Sequence, residues 1–328
     1  MLSNKQLINL CNSLSTMLHS GIQVERALEL VAKQTGSPAL RSAMRDSVRR
    51  IKEGASLTEA FTAQKCMPPL LLLLVDAGER SGSLDRVLAE LARLFELNRR
   101  LWRQLLSRIT FPVIEYVLAI AVLALVTFIL STIQGTGGGA QKAVLVMLAG
   151  YGAPIALIVF YFWIFKPLGG SRPFHEALLK VPVIGRVVQS ICLARFSLVL
   201  YLMYEAAFPT EEALKRSFSA TGNAAFAARG PAAAAAVAEG STLTGALTGA
   251  EVFPREYLEV ISVAEESGML SERLNGQAES YAETSESQMG AVVTVLSVLI
   301  WLCVAAFIAY FIFTIFLGYI GAIKQVAG

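Results

Sequence analysis

Histidine occurs only twice in the 328 residues, and cysteine four times. His19 and His175 have no metal-ligating neighbours in sequence, and Cys11, Cys66, Cys192 and Cys303 form no CxxC pair. A zinc site, a disulfide framework and a histidine-based acid/base centre are therefore not readable. The one glycine-rich run ending in lysine, GTGGGAQK at 135–142, lacks glycine before the lysine and Ser/Thr after it, so it is not a phosphate-binding loop. No cofactor is expected, and energy for any active process must come from a partner. Charge is scarce too: 16% of residues are charged against 55% hydrophobic, and the mean hydropathy is +0.56. That balance is too apolar for an ordinary soluble domain.

What fills the chain instead is long apolar sequence. The stretches 109–133, 143–165 and 292–319 contain a single formal charge between them, Glu115. Each is long enough to cross a ~30 Å hydrocarbon layer at about 1.5 Å per helical residue. The N-terminus, with Asn4, Lys5, Gln6, Asn9 and Asn12, lacks the continuous apolar core of a cleavable signal peptide. Arg99, Arg100, Arg103 and Arg108 precede the first stretch, Lys166, Arg172, Lys180 and Arg186 follow the second, and only Lys142 lies between. Basic residues favour the cytoplasmic side. The reading is thus a multi-pass membrane protein, with both polar parts and the N-terminus in the cytoplasm and the C-terminus external.

Compared with itself at an offset of 186 residues, the chain repeats. Leu14, Ala27, Leu28, Gly54, Leu57, Ala60, Pro68, Glu79, Ser81, Gly82, Leu84, Leu88 and Ala92 meet identical residues, among them Gly240, Leu243, Pro254, Glu265, Ser267, Gly268 and Leu270. A gap-free match of this kind marks a duplicated unit. Within each copy apolar residues recur at three and four residue steps, as at Leu7, Leu10, Cys11, Leu14, Met17 and Leu18, which predicts amphipathic helices. Ser56 and Glu59 form a capping-box pattern. Gly21, Gly36, Gly54, Gly82, Gly240 and Gly268 are expected at helix ends, where a left-handed residue stops the helix. The predicted fold is an all-α membrane protein: two homologous cytoplasmic bundles of about six short helices and three transmembrane helices. The expected boundaries are bundle 1–108, span 109–133, external loop 134–142, span 143–165, linker 166–188, bundle 189–288, span 289–319 and external tail 320–328.

Candidate functional residues follow from charge and from the repeat. The first polar part, 1–108, holds 16 basic and 10 acidic residues, whereas 166–288 holds 10 and 14, so the copies face different partners or each other. Arg41, Arg45 and Arg49, with Arg50 and Lys52, form a basic helix suited to an acidic partner surface, or to solvent and lipid headgroups. Glu79 and Glu265 recur in the paired turns GERSGSL and AEESGML; each is either a cap on the following helix or an exposed docking carboxylate. Glu115, one turn after Pro112, is a polar contact for another membrane helix or for the N-terminus of a membrane-embedded partner, or an interfacial carboxylate balanced by Arg108. Leu84, Leu88, Leu91, Phe95, Asn98, Trp102 and Leu105 keep heptad spacing up to the first apolar stretch, a seam within the bundle or between subunits, on a helix expected to continue into the membrane.

The motifs KVPVIGR at 180–186, ARFS at 194–197, Ser20-Gly21-Ile22, GASL at 54–57, GSTL at 240–243, Phe253-Pro254 and both Glu-x-Ser-Gly-x-Leu turns, in this order and with three spans, resemble the inner-membrane platform proteins of type II secretion systems and type IV pili, the protein F/PilC family. The resemblance covers nearly the whole chain. Two departures from the family pattern are Ala206-Ala-Phe-Pro209 in place of the small-Gly turn and Met67-Pro68 in place of Phe-Pro. The resemblance implies a non-enzymatic, homo-oligomeric scaffold that couples a cytoplasmic assembly ATPase to extraction of pseudopilins or pilins, alongside other inner-membrane secretion components and without nucleic acid. The competing class is an oligomeric small transporter or channel, for which Thr127, Ser131, Thr294 and Ser297 are the only mid-membrane polar clusters.

Overall fold

The computed structural model describes residues 2–133, 140–141, 143–152, 155–156 and 172–327, and its elements are helices throughout. Copy one comprises α1 (Asn4–His19), α2 (Val24–Gln34), α3 (Pro38–Lys52), α4 (Leu57–Thr62), α5 (Pro69–Ser81) and α6 (Leu84–Ile133). Next come α7 (Ala143–Gly152) and α8 (Arg172–Lys180). Copy two comprises α9 (Ile184–Glu205), α10 (Thr210–Ala220), α11 (Ala224–Ala227), α12 (Gly230–Ala238), α13 (Leu243–Gly249), α14 (Arg255–Ser267) and α15 (Leu270–Ala327).

The 186-residue offset holds at the level of elements. It carries α2 onto α10 and α5 onto α14 at both ends, and the first residue of α6 onto that of α15. Local chemistry explains the shared boundaries. Pro68 and Pro254 stand before the first turns of α5 and α14, where a missing backbone N–H costs nothing. Gly82 and Gly268 end the same helices at φ 68° and 69°, a left-handed conformation that disfavours any residue with a Cβ. At the start of α4, Ser56 Oγ accepts from Glu59 N (3.0 Å) and the Glu59 carboxylate accepts from Ser56 N (3.0 Å), the expected capping box.

Two expectations need correction. Copy one has the six expected helices, the last continuing as expected into the apolar stretch over 50 residues, whereas copy two has seven, because the counterpart of α3 is split into α11 and α12. Pro231 sits in the first turn of α12, and a proline cannot donate the i→i−4 bond a continuous helix would need there. Gly36 is not left-handed. Instead α2 ends on Thr35 in extended conformation, whose hydroxyl accepts from Ser37 N (3.3 Å). In the stretch read as a linker, Arg172–Lys180 is helical and α9 begins at Ile184.

The chain divides into two compact units, Met1–Trp102 with Arg172–Gln288, and Arg103–Ser171 with Met289–Gly328. In the first, both copies contribute to one hydrophobic cluster, from Leu10, Leu28 and Leu74 to Phe196, Phe218 and Tyr257. The buried half of copy two is aromatic: Phe196 and Phe218 meet edge to face at 4.9 Å, and Phe253 stacks on Tyr257 at 5.2 Å. The Tyr257 hydroxyl, fully buried, shares a 2.8 Å hydrogen bond with Ser197.

The second unit has the opposite surface. Phe111 is 74% exposed, and Ile114, Leu118 and Leu125 on α6, Leu145 and Leu148 on α7, and Leu299, Trp301 and Phe313 on α15 are exposed as well. Apolar surface this extensive is not left to water. Tyr116 donates to the Gly150 carbonyl (2.7 Å) and Tyr151 to that of Val117 (2.9 Å), joining α6 to α7. By length and composition two described helices could cross a membrane, α9 and the Leu270–Tyr310 part of α15. α9 is a core helix, its apolar window 72% buried, whereas that of α15 is 17% buried. The other apolar segments, Val113–Ile129 and Ala143–Gly152, are shorter, and most of the expected second span and external loop lies outside the described residues.

Candidate functional site

The paired glutamates act alike. The Glu79 carboxylate accepts from Leu57 N (2.7 Å), Thr58 N (3.0 Å) and the Thr58 hydroxyl (2.7 Å). Glu265 accepts from Leu243 N (2.6 Å), Thr244 N (2.9 Å) and the Thr244 hydroxyl (2.7 Å). Each therefore neutralises first-turn amides of α4 or α13, groups that have no partner inside their own helix. The capped helix is the preceding short one and not the following one expected from sequence. Burial by itself would raise the Glu265 carboxyl, but the bonds from Thr244 and Leu243 outweigh it and hold it below its ordinary value.

The basic residues of α3 separate into two kinds. Arg49 is paired with Asp46 and lies 4.0 Å from Glu53, Arg50 pairs with Asp46 (2.9 Å), and Lys52 reaches Glu29 on α2 (3.0 Å). Arg41 donates to the Thr35 carbonyl (2.8 Å), and Arg45, exposed, makes no ion pair among the described residues. Arg41 and Arg45 are thus the α3 cations with charge left for a partner. Glu115 is exposed on the α6 part of the second unit, and its expected counter-charge, Arg108, lies outside the described side chains. Of the glycines assigned to turns, Gly21, Gly54 and Gly240 have φ of 78°, 97° and 94°, as well as Gly82 and Gly268. The small-Gly turn that copy two lacks is nonetheless built: Ala207, the counterpart of Gly21, has φ 54°. Ala207 N donates to Tyr204 O and Phe208 N to Met203 O, as Gly21 N does to Leu18 O and Ile22 N to Met17 O.

Sequence reasoning overlooked the contacts between the copies. Asp76 of α5 pairs with Arg216 of α10 (2.6 Å), and Arg80 and Arg216 lie over the Phe208 ring, 5.0 and 5.1 Å from its centroid. Arg86 of α6 pairs with Glu205 of α9 (3.1 Å) and meets the Tyr201 hydroxyl. Arg100 pairs with Glu286 of α15 (3.3 Å). Arg195, from the ARFS motif, donates to the Thr221 carbonyl (3.1 Å) and to Asn98 Oδ1 of α6 (2.9 Å), and burial lowers its pKa. A signal existed: Arg86, Arg93 and Arg100 recur every seven residues, and the 186-residue offset sets Glu272, Glu279 and Glu286 at the matching places of α15. The heptad seam itself is buried in this unit at Leu88, Leu91 and Phe95, and ends at Trp102, 60% exposed.

Reactive chemistry is muted. Burial pushes the thiols of Cys11 and Cys192 up to about 12, which leaves them unreactive at neutral pH. Among the described residues no three of His, Cys, Asp and Glu come together as a metal site.

The family model for the type II secretion system protein F matches residues 10–132 and again 196–318. The two matches are themselves 186 residues apart, in register with the internal repeat, and together cover most of the chain. The chain belongs to the type II secretion system protein F family. It is 27% identical over 330 residues to a type II secretion system protein F of Aeromonas hydrophila, covering 95% of this chain and 85% of that one. It is 24% identical to a type IV pilus assembly protein PilC of Myxococcus xanthus, covering 89% and 74%. It is 28% identical to a PilC of Thermus thermophilus, covering 84% and 72%. As a family member it carries the protein F repeat twice, and in each match a helical bundle is followed by apolar helix.

Proposed function

We propose that this chain is the inner-membrane platform of a type II secretion or type IV pilus-like machine, a non-enzymatic scaffold coupling a cytoplasmic assembly ATPase to extraction and assembly of pseudopilins or pilins. The observation that carries the reading is the doubled family match in register with the repeat, joined to a broad exposed apolar surface on α6, α7 and α15. The polar unit faces the cytoplasm, 134–142 and the C-terminus face outward, and the platform is a homo-oligomer working with other inner-membrane secretion components. Glu115 offers a polar contact to a neighbouring membrane helix or to a pilin-like segment. Glu79 and Glu265 serve by fixing α4 and α13, which shape the cytoplasmic surface.

The ATPase contact is assigned to Arg41 and Arg45 on α3, whose charge is the least neutralised within the chain. Charge complementarity at an interface mainly accelerates encounter and secures specificity, so the contact should weaken with salt. Co-isolation of the cognate ATPase from membranes carrying Arg41→Glu/Arg45→Glu tests it. Recovery of the ATPase should fall at low salt and lose its salt dependence; recovery and salt dependence equal to the parent would remove the α3 docking surface from the account.

A further inference from the structure

A cleft of about 370 Å³ opens in the first unit between α6, α9 and α15. The arginines spaced by heptads along α6, Arg86, Arg93 and Arg100, find three different kinds of partner. Arg86 is held by Glu205 of α9, and among the described residues Arg100 alone crosses to α15, reaching Glu286 at 3.3 Å. Arg93, one heptad from each, does not cross. It pairs with Glu90 on its own helix (2.9 Å), while Glu279, the residue on α15 set against it by the repeat, lines the same cleft and makes no ion pair among the described residues.

We propose that Arg93 is a two-position switch that sets the spacing of α6 and α15: paired with Glu90 the cleft is open, and paired with Glu279 it is closed. The two carboxylates are near enough to feel one another. Burial pushes the Glu90 carboxyl above its ordinary value, Arg93 pulls it down, and the charge of Glu279 raises it again. One guanidinium therefore shares the cleft with Glu90, which it pairs, and Glu279, which it does not. The walls facing each other across the cleft include Leu94 and Leu97 on α6 and Ala278 and Ala282 on α15, so closure brings apolar surface together as the pair with Glu279 forms. Arg93 itself is largely exposed, and ion pairs made by an exposed arginine are individually weak, which keeps both positions populated and makes the equilibrium responsive to a partner touching either helix.

The test is thiol cross-linking of the full chain in membranes, with Leu97→Cys and Ala282→Cys in a Cys66→Ser/Cys303→Ala background; the remaining Cys11 and Cys192 are buried and unreactive. With a short bifunctional reagent, Glu90→Gln should speed cross-linking and Glu279→Gln should slow it, each by roughly two- to fivefold, the population shift expected from one partly exposed ion pair. Arg93→Gln should make the rate indifferent to both substitutions. The exchange Arg93→Glu/Glu279→Arg should give the fastest cross-linking, because residue 93 is then repelled by Glu90 and attracted across the cleft. A static salt bridge would not produce opposite responses. If the two neutralisations leave the rate unchanged, or move it in the same direction, with Arg93 intact and thermal stability preserved, the switch is overturned.

Discussion

At the scale of single residues, the two copies solve one turn with different amino acids. Gly21 takes its left-handed conformation freely, whereas Ala207 at φ 54° holds the same hydrogen bonds with a Cβ that disfavours them. Ala207→Gly should therefore stabilise the protein by about 1 kcal/mol, read as a rise in midpoint on thermal denaturation in detergent. The converse holds at Gly82 and Gly268. A Cβ there would meet nothing within 4 Å, so Gly82→Val or Gly268→Val should cost about 1–2 kcal/mol through backbone strain alone. Glu265 adds a pH dependence. Its folded pKa lies below the ordinary value, so its contribution is complete at neutral pH and is lost as pH falls through the lowered folded value. Glu265→Gln should flatten the acid limb of the stability profile, and an acid limb identical to the parent's would contradict the capping role. That the glutamate recurs was legible in sequence; that it reaches back to α4 and α13 was not, since the contact spans about twenty residues and depends on how α5 packs.

At the scale of elements, the boundaries legible in advance were those with a chemical stop signal. Proline before α5 and α14, glycine after them, and serine at the head of α4 all act within a turn of themselves. The split of the third helix of copy two was missed because an alanine run reads as good helix and hides the consequence of Pro231. The join between copies was missed for a different reason: ion pairs such as Asp76 with Arg216 link residues 140 apart, beyond any local pattern. This pair is mostly shielded from solvent, and Arg216 also covers the Phe208 ring. Arg216→Ala should destabilise the first unit by about 1–3 kcal/mol, because Asp76 loses its cross-copy partner and Phe208 a covering cation. A double-mutant cycle with Asp76→Ala should give a coupling energy near 1 kcal/mol; no coupling would mean that this pair adds nothing to the join between the copies.

At the scale of the whole molecule, composition and the repeat carried most of the reading: the apolar excess, the 186-residue period and the family motifs each stood in the sequence before any coordinates. The central claim is that a duplicated bundle works on the cytoplasmic side of a membrane that the apolar helices cross, with the basic flanks of those helices setting the orientation. Reporter fusions at Arg172 and Gly328 test this most directly. The account predicts a cytoplasmic reporter active at Arg172 and a periplasmic reporter active at Gly328; a periplasmic signal at Arg172 with a cytoplasmic one at Gly328 would contradict it.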